Sequence, residues 1–130
     1  MNPRISVVIA AYNAERHLGN CLASLRAQTL GEWEALACDD ASTDSTWTLL
    51  TAETAGDDRF LLLRNATNLQ AAATRNRCLE HARGDYVAIL DADDIMDPER
   101  LETQLRFLAG HPEFDFVGSG LFLFDDQGVY

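Results

Sequence analysis

Apolar residues occur along this chain in two alternating patterns, short continuous runs and longer amphipathic segments. The first run, residues 5–10 (ISVVIA), is rich in β-branched side chains and is typical of a strand buried on both faces of a parallel sheet. Residues 14–28 then place apolar side chains at three- and four-residue spacing, which predicts an amphipathic helix. These helix positions are Leu18, Cys21, Leu22 and Leu25.

The same alternation continues through the rest of the sequence. It predicts strands at 33–38, 60–63 and 86–90, and helices at 46–55, 70–82 and 98–109. Two further strands are predicted at 114–118 and 121–124. Strands that alternate with helices of this length form βαβ units, so we predict one α/β domain with a mostly parallel sheet between two layers of helices.

Polar clusters follow three of the predicted strands. Tyr12-Asn13 follows the first, Asp39-Asp40 follows the second, and the acidic segment 91–94 follows the fourth. In parallel sheets, ligands bind outside the carboxyl ends of the strands. We therefore expect the three clusters to meet at one edge of the sheet.

The charge balance is strongly acidic. There are 21 acidic residues against ten basic ones, a formal net charge of -11, and all ten basic residues are arginines. Such a chain lacks the basic surface with which proteins bind nucleic acids or anionic membranes. A phosphorylated ligand would need local arginines, helix N-termini or a divalent metal to overcome the general repulsion.

The cysteines, the histidines and the apolar runs do not indicate a disulfide framework, a zinc site or a membrane span. The cysteines are widely spaced, which predicts buried free thiols: Cys21, Cys38 and Cys78. The histidines share no ligand spacing and are interpreted as structural or surface residues: His17, His81 and His111. No run approaches the roughly 20 apolar residues of a membrane span, and no signal segment precedes the first strand, so we expect a cytoplasmic protein.

Three carboxylates follow the strand at 86–90, in the segment DADD at positions 91–94. Ionised carboxylates beside a buried strand are costly unless they are paired or bind a metal, and hard oxygen ligands favour Mg²⁺ or Mn²⁺. The spacing of Asp91 and Asp93 can direct both side chains to one metal–diphosphate centre. Asp97 is interpreted as a helix cap, and the segment lacks the glycine and glutamate that an EF-hand loop requires.

Asp39 and Asp40 repeat this arrangement after the strand at 33–38. In a dinucleotide-binding fold an acidic residue here would bind a ribose hydroxyl, but no G-x-G-x-x-G turn follows the first strand. Residues 11–15 contain no glycine, and the motif G-x-x-x-x-G-K-[ST] is also absent from the sequence. A nicotinamide or flavin dehydrogenase and a P-loop enzyme are therefore disfavoured.

Tyr12 and Arg75 are further candidates whose roles the residues alone leave open. The ring of Tyr12 could stack on a nucleobase or cover the sheet edge. Arg75 and Arg77 lie on the predicted helix at 70–82, where either could hold a phosphate or be solvated. Arg75 is the stronger candidate for the phosphate.

Several segments form an ordered set of motifs over nearly the whole chain. They are 6–13 (SVVIAAYN), 28–29 (QT), 39–46 (DDASTDST), Asn68, 75–76 (RN), 84–86 (GDY) and 90–94 (LDADD). Together they resemble family-two glycosyltransferases of the GT-A fold. The resemblance implies a three-layer α/β/α, Rossmann-like fold and an inverting, metal-dependent transfer of a sugar from a nucleoside-diphosphate sugar, often a UDP-sugar, to an acceptor hydroxyl.

The resemblance also implies roles for the candidate residues. Tyr12 and Asp40 would contact the nucleobase, with Asp40 accepting a hydrogen bond from its N–H, and Asp39 would support that loop. Asp91 would lie near the ribose and the metal, and Asp93 would bind the Mn²⁺ or Mg²⁺ that bridges the diphosphate. Such a metal stabilises the charge that develops on the leaving group.

The chain departs from the family pattern at three positions and in length. Glycine is common in the family where this chain has Ala41, Ser45 and Gln70. We expect residues 1–130 to be the donor-binding part of the domain, truncated before the acceptor-binding half, with the general base beyond Tyr130. The acceptor would be a carbohydrate or lipid-linked hydroxyl, and the full-length protein could lie at a membrane surface.

Three alternatives remain open. A nucleotide-sugar-binding module would keep donor affinity but lack transferase activity, because the catalytic base lies outside this chain. A nucleotidyltransferase builds sugar nucleotides on a related sheet, but residues 11–16 lack its glycine-rich basic loop. In a structural or interaction protein, the acidic strand ends would merely be solvated.

Overall fold

The computed structural model describes residues 2–129, in which strands and helices alternate before a short C-terminal hairpin. The strands are β1 (Ile5–Ala11), β2 (Trp33–Asp39), β3 (Phe60–Arg64) and β4 (Tyr86–Ile89). The helices are α1 (Leu18–Arg26), α2 (Thr46–Thr54), α3 (Gln70–Leu79) and α4 (Arg100–Gly110). The hairpin consists of β5 (Phe124–Asp125) and β6 (Gly128–Val129).

The four long strands form one parallel sheet in the order β3-β2-β1-β4. Ile5 in β1 lies opposite both Trp33 and Tyr86, and Ala11 lies opposite Asp39. β1 and β2 therefore start and end together at the centre of the sheet. The loops that follow them leave from the same edge.

Helices cover both faces of this sheet. One core cluster joins Val7 and Ile9 of β1 to Leu22 of α1, Leu50 of α2 and Leu101 of α4. The cluster on the other face consists of Val8, Leu36, Cys38 and Cys78. The predicted three-layer fold is thus confirmed, and the three cysteines are buried free thiols as predicted. Within residues 2–129, no helix is long and apolar enough to cross a membrane.

The helices begin or end inside their predicted ranges. α1 begins at Leu18 rather than at 14, after a turn whose Ala14 N–H donates to Thr46 Oγ1 at 2.8 Å. α3 ends at Leu79 rather than at 82, and α4 begins two residues late, at position 100. The prediction that Asp97 caps α4 is wrong, because the N-cap is Glu99 and no side chain caps it. Asp97 instead holds the turn before the helix, where its Oδ1 accepts the N–H of Glu99 at 2.9 Å.

The predictions of strands at 114–118 and 121–124 are wrong. These segments are irregular, and β5 begins only at Phe124. Their apolar side chains project into solvent: Phe116 is 86% exposed and Phe122 is 81% exposed. A strand needs a partner for its backbone groups. Among residues 2–129 no strand is hydrogen-bonded to the outer edge of β4, and an apolar pattern cannot supply one.

Candidate functional site

The loops after β1 and β2 are fastened to each other at the carboxyl edge of the sheet. Asn13 N–H donates to Ser42 Oγ at 3.0 Å, and Thr43 N–H donates to Asn13 Oδ1 at 2.9 Å. Asp40 N–H donates to the carbonyl of Ala11 at 2.8 Å. Tyr12 lies on the first of these two loops with 51% of its surface exposed, so its ring is available to a planar ligand.

Asp39 is fully buried beneath these loops and is compensated by an ion pair. Its Oδ2 accepts from Arg64 Nε at 3.0 Å, and its Oδ1 accepts from Ser42 N–H at 3.3 Å. The Arg64 guanidinium in turn lies over the ring of Trp47, 5.2 Å from its centroid. The charge of Asp39 is therefore neutralised by Arg64 inside the protein, and its carboxylate stabilises the loop after β2.

Asp40 is also buried, but neutral groups compensate its charge. Its Oδ1 accepts from Asn65 Nδ2 and from Leu69 N–H, both at 2.7 Å. Burial alone would raise the pKa of Asp40, but the hydrogen bonds outweigh burial and hold that pKa below its usual range. Asp40 is thus an ionised acceptor at the sheet edge.

Asn65 is a site residue that the sequence patterns did not single out. It directly follows β3, and its Oδ1 accepts from Arg77 Nη1 at 2.6 Å while its Nδ2 donates to Asp40 and to Thr74 Oγ1. A cavity of about 410 Å³ opens beside it, lined by Ala41, Ser42, Arg64, Asn65 and Ala66. Applying the rule for polar residues at strand ends to β3 would have found it.

Asp91 and Arg75 form an ion pair at the other end of the edge. Arg75 Nη2 lies 2.5 Å from Asp91 Oδ1, and the two side chains are 33% and 49% exposed. Arg75 Nε is buried, and no group among residues 2–129 accepts a hydrogen bond from it. A buried donor without an acceptor is costly, so this atom is suited to a ligand oxygen.

Asp93 and Asp94 are exposed next to this ion pair. Partial desolvation by neighbouring atoms, followed by the nearby charges of Asp93 and Asp91, raises the pKa of Asp94 above its usual value. The described residues do not include three carboxylate, imidazole or thiol side chains grouped to hold a metal by themselves. A cation bound here would therefore need further oxygen ligands from water or a substrate.

Helix α1 and the turn that follows it anchor the segment that carries these carboxylates. Gln28 is buried, its Nε2 donates to the carbonyl of Asp97 at 2.7 Å, and its Oε1 accepts from Leu101 N–H at 3.0 Å. The Cys21 thiol donates to the carbonyl of Asp91 at 3.4 Å. Burial, followed by the nearby carboxylates, raises the pKa of Cys21 to about 12, so the thiol is a neutral donor.

Helix α3 connects the two ends of the site. Thr74 and Arg77 contact Asn65, and Leu69 just before the helix contacts Asp40. Arg75, on the same helix, contacts Asp91. The fold and the site thus define an α/β domain with a buried carboxylate acceptor at one end of the sheet edge and an arginine with clustered carboxylates at the other.

The chain belongs to glycosyl transferase family 2, whose family model matches residues 6–129. It is 44% identical over 128 residues to EpsE of Bacillus subtilis, covering 98% of this chain and 46% of that relative. It is 36% identical over 104 residues to an Escherichia coli relative, the UDP-Glc:alpha-D-GlcNAc-diphosphoundecaprenol beta-1,3-glucosyltransferase WfgD, covering 80% of this chain and 40% of that relative. The chain thus spans less than half the length of either relative.

Solved structures show the same fold. S. aureus TarS 1–349 in complex with UDP matches with a TM-score of 0.78 and 28% identity, over 84% of this chain and 33% of that one. The mannosyltransferase PcManGT from Pyrobaculum calidifontis, in complex with GDP-Man and Mn²⁺, matches with a TM-score of 0.77 and 29% identity, over 84% of this chain and 33% of that one. The GT-A-like fold is therefore shown.

Proposed function

We propose that residues 1–130 form the donor-binding part of a metal-dependent, inverting glycosyltransferase that takes its sugar from a nucleoside-diphosphate sugar, with a UDP-sugar as the principal candidate. The observation that carries this proposal is that one edge of the sheet has two chemically different groups of side chains, one at each end. Asp40 offers an ionised acceptor at one end, and Arg75 with the carboxylates at 91–94 lies at the other.

The first end supports nucleobase binding. The two shortest hydrogen bonds to Asp40 both go to its Oδ1. The Thr74 hydroxyl and the Gln70 N–H make weaker contacts with the same carboxylate. A base N–H would compete with these weaker contacts for an acceptor position on Asp40. The exposed ring of Tyr12 lies on the neighbouring loop, where a base could stack on it.

The second end supports binding of a diphosphate with a divalent metal. Mg²⁺ typically takes one or two protein carboxylates together with substrate phosphates and water. The exposed carboxylate of Asp93 and the half-exposed one of Asp91 fit that donor set. When bound, the ion would neutralise the charge that develops on the departing nucleoside diphosphate. Arg75 would donate to a diphosphate oxygen through its unpartnered Nε.

In this proposal the chain binds and orients the donor, and the acceptor hydroxyl attacks the anomeric carbon from the side opposite the diphosphate. That direction of attack inverts the configuration. The base that removes the hydroxyl proton would come from polypeptide outside residues 1–130. The name of the relative WfgD, which specifies a diphosphoundecaprenol-linked acceptor, supports a lipid-linked acceptor over a free sugar.

Calorimetric titration of the chain with UDP and GDP, each with and without Mn²⁺, tests the two ends separately. We expect UDP binding that Mn²⁺ strengthens. Asp40→Asn should weaken it about tenfold or more, because a hydrogen bond to a charged group is lost. Asp93→Ala should instead remove the Mn²⁺ dependence.

Asp58→Ala is the matched control for Asp93→Ala. Asp58 is an exposed carboxylate just before β3, at the opposite edge of the sheet, and its removal changes the net charge equally. The control should bind UDP and Mn²⁺ as the parent chain does. Absence of nucleotide binding by the parent chain, or full Mn²⁺ dependence in Asp93→Ala, would contradict the proposal.

A binding module without transferase activity is the second candidate. All the site residues described above are assigned to the donor, with Asp40 at one end and Arg75 with Asp91 at the other. Assays of donor hydrolysis and of sugar transfer distinguish the two functions once binding is established. Tight donor binding without turnover would favour the module.

A further inference from the structure

The adjacent residues Asp39 and Asp40 have their charges compensated in opposite ways. Asp39 is paired directly with Arg64 at 3.0 Å and has no exposed surface. Asp40 makes no ion pair within residues 2–129, and its hydrogen-bond donors are all neutral. The shortest bonds come from the Asn65 amide and the Leu69 N–H, and the Thr74 hydroxyl and the Gln70 N–H also contribute. A buried carboxylate held by neutral donors stays ionised without having a cation occupy it. This leaves it able to accept a ligand's hydrogen bond.

Arg77 determines which way the Asn65 amide faces. A guanidinium can only donate hydrogen bonds, so the Asn65 atom 2.6 Å from Arg77 Nη1 must be the oxygen, Oδ1. The amide nitrogen then faces Asp40, which as a carboxylate can only accept. Arg77 also donates to the carbonyl of Arg64 at 2.8 Å, which ties it to the end of β3.

Asn65 thus links Arg77 to Asp40 by two hydrogen bonds, one to its amide oxygen and one from its amide nitrogen. These donor and acceptor roles allow only one orientation of the Asn65 amide. Asn65 is 3% exposed, and its own N–H donates to the carbonyl of Asp39 at 2.8 Å, so backbone and side chain are both held. The Asp40 carboxylate therefore cannot easily rotate to suit a ligand. A fixed, ionised acceptor discriminates between ligands more strongly than a mobile one.

We propose that Asn65, held by Arg77, is a positioning residue that makes the nucleotide site selective for bases with a ring N–H, the uracil and guanine class. The proposal rests on the nucleobase role proposed for Asp40. Uracil and guanine can donate a ring N–H to the fixed carboxylate. Cytosine and adenine present a ring nitrogen lone pair at the equivalent position, which the carboxylate repels. The UDP and GDP-Man complexes of the structural neighbours both contain bases with a ring N–H.

A double-mutant cycle tests this role, in which one change removes the Asn65 amide and the other removes the ring N–H of the base. The chain and its Asn65→Leu variant are titrated with UDP, with N3-methyl-UDP, which lacks the ring N–H, and with CDP. We expect Asn65→Leu to weaken UDP binding about tenfold, the effect of losing a hydrogen bond to a charged group. It should leave the weak binding of N3-methyl-UDP unchanged and shrink the preference for UDP over CDP.

Arg77→Met supplies a second variant in case Asn65→Leu does not fold. It keeps Asn65 and leaves only the Cys38 thiol, at 3.5 Å, as a donor to its Oδ1. It should therefore produce the same pattern with a smaller loss, about threefold for UDP. In an Asp40→Asn background, neither change should weaken UDP binding further. This non-additivity is the expected signature of a residue that acts through Asp40.

Thr54→Val is the matched control for a general loss of stability. Thr54 is buried on α2, and its hydroxyl donates to the carbonyl of Leu50 at 2.8 Å. The control should lower the melting temperature and leave the ratio of UDP to CDP affinities unchanged. Equal losses for UDP and N3-methyl-UDP in Asn65→Leu would overturn the positioning role while leaving the proposed function intact. Failure of the parent chain to bind UDP or GDP would overturn both.

Discussion

At the scale of single residues, the three departures from the family's glycines are not equivalent. Ala41 and Gln70 have positive φ values of 59° and 67°. This left-handed conformation costs an L residue roughly 1–2 kcal/mol, which glycine avoids. Ser45 has a φ of -79°, which any residue adopts. The structure thus explains the first two glycine preferences as backbone requirements and does not explain the third.

Ala41→Gly and Gln70→Gly should therefore each raise the free energy of unfolding, by about 0.5–1 kcal/mol once the greater flexibility of glycine in the unfolded chain is included. Ser45→Gly is the matched control and should give no gain. Urea unfolding of the three variants measures these changes. Equal stabilisation by all three glycines would show that backbone strain is not the cause.

Arg75 is the second residue for which the structure makes a prediction. Arg75→Met should weaken UDP binding about tenfold through loss of a charged donor to the diphosphate. It should also strengthen Mn²⁺ binding without nucleotide by about two- to threefold, because the half-exposed pair that occupies Asp91 is worth at most about 1 kcal/mol. Electron paramagnetic resonance of Mn²⁺ measures the second effect.

The control for Arg75→Met is Arg106→Met, which removes an exposed arginine paired with Glu102 at 3.0 Å. Both changes alter the net charge equally. Only Arg75→Met should affect Mn²⁺ and UDP binding. A gain in Mn²⁺ affinity of the same size in both variants would assign the effect to overall charge rather than to Asp91.

At the scale of secondary-structure elements, the connection from α3 to β4 packs directly on the backbone of β1. Gly84 N–H donates to Ser6 Oγ at 2.8 Å, and that hydroxyl donates to Glu34 on β2 at 2.7 Å. A Cβ added at Gly84 would lie 2.6 Å from Ser6 N and 2.8 Å from the carbonyl carbon of Ile5. Glycine is thus required here by space.

Gly84→Ala should lower the free energy of unfolding by about 2 kcal/mol, because backbone atoms cannot move away as a flexible side chain would. Gly19→Ala on α1 is the control, since an added Cβ there meets nothing within 4 Å. The control should be neutral or more stable by up to about 1 kcal/mol, from higher helix propensity. A similar loss of stability in both variants would contradict the packing argument.

The sequence predicted the strands correctly where a run of apolar residues is also buried in the fold. β1 and β2 are buried along almost their whole length, so their apolar runs identified them. The segment 114–123 has equally apolar runs but is irregular and exposed, because a strand depends on a partner that pattern alone does not reveal.

At the scale of the whole molecule, the net charge of -11 is distributed unevenly over the site. Buried carboxylates are compensated internally, as Asp39 is by Arg64 and Glu34 is by Arg83 at 2.6 Å. The segment 91–94 has three carboxylates against Arg75, which is paired with Asp91, and Arg100, whose charge acts on Asp94. An excess of negative charge therefore remains at that end. This excess is what a divalent ion would relieve.

The sequence by itself determined the α/β class, the order of the elements through α4, and the edge at which the polar residues meet, because these depend on local periodicity and on the geometry of parallel strands. Only the tertiary structure decided which carboxylate is compensated and which remains an acceptor. Asp39 and Asp40 are neighbours in sequence, yet their partners Arg64 and Asn65 lie 25 residues away. Hydrogen bonds across such separations depend on how β3 and α3 pack beside β2, and no local pattern encodes that packing.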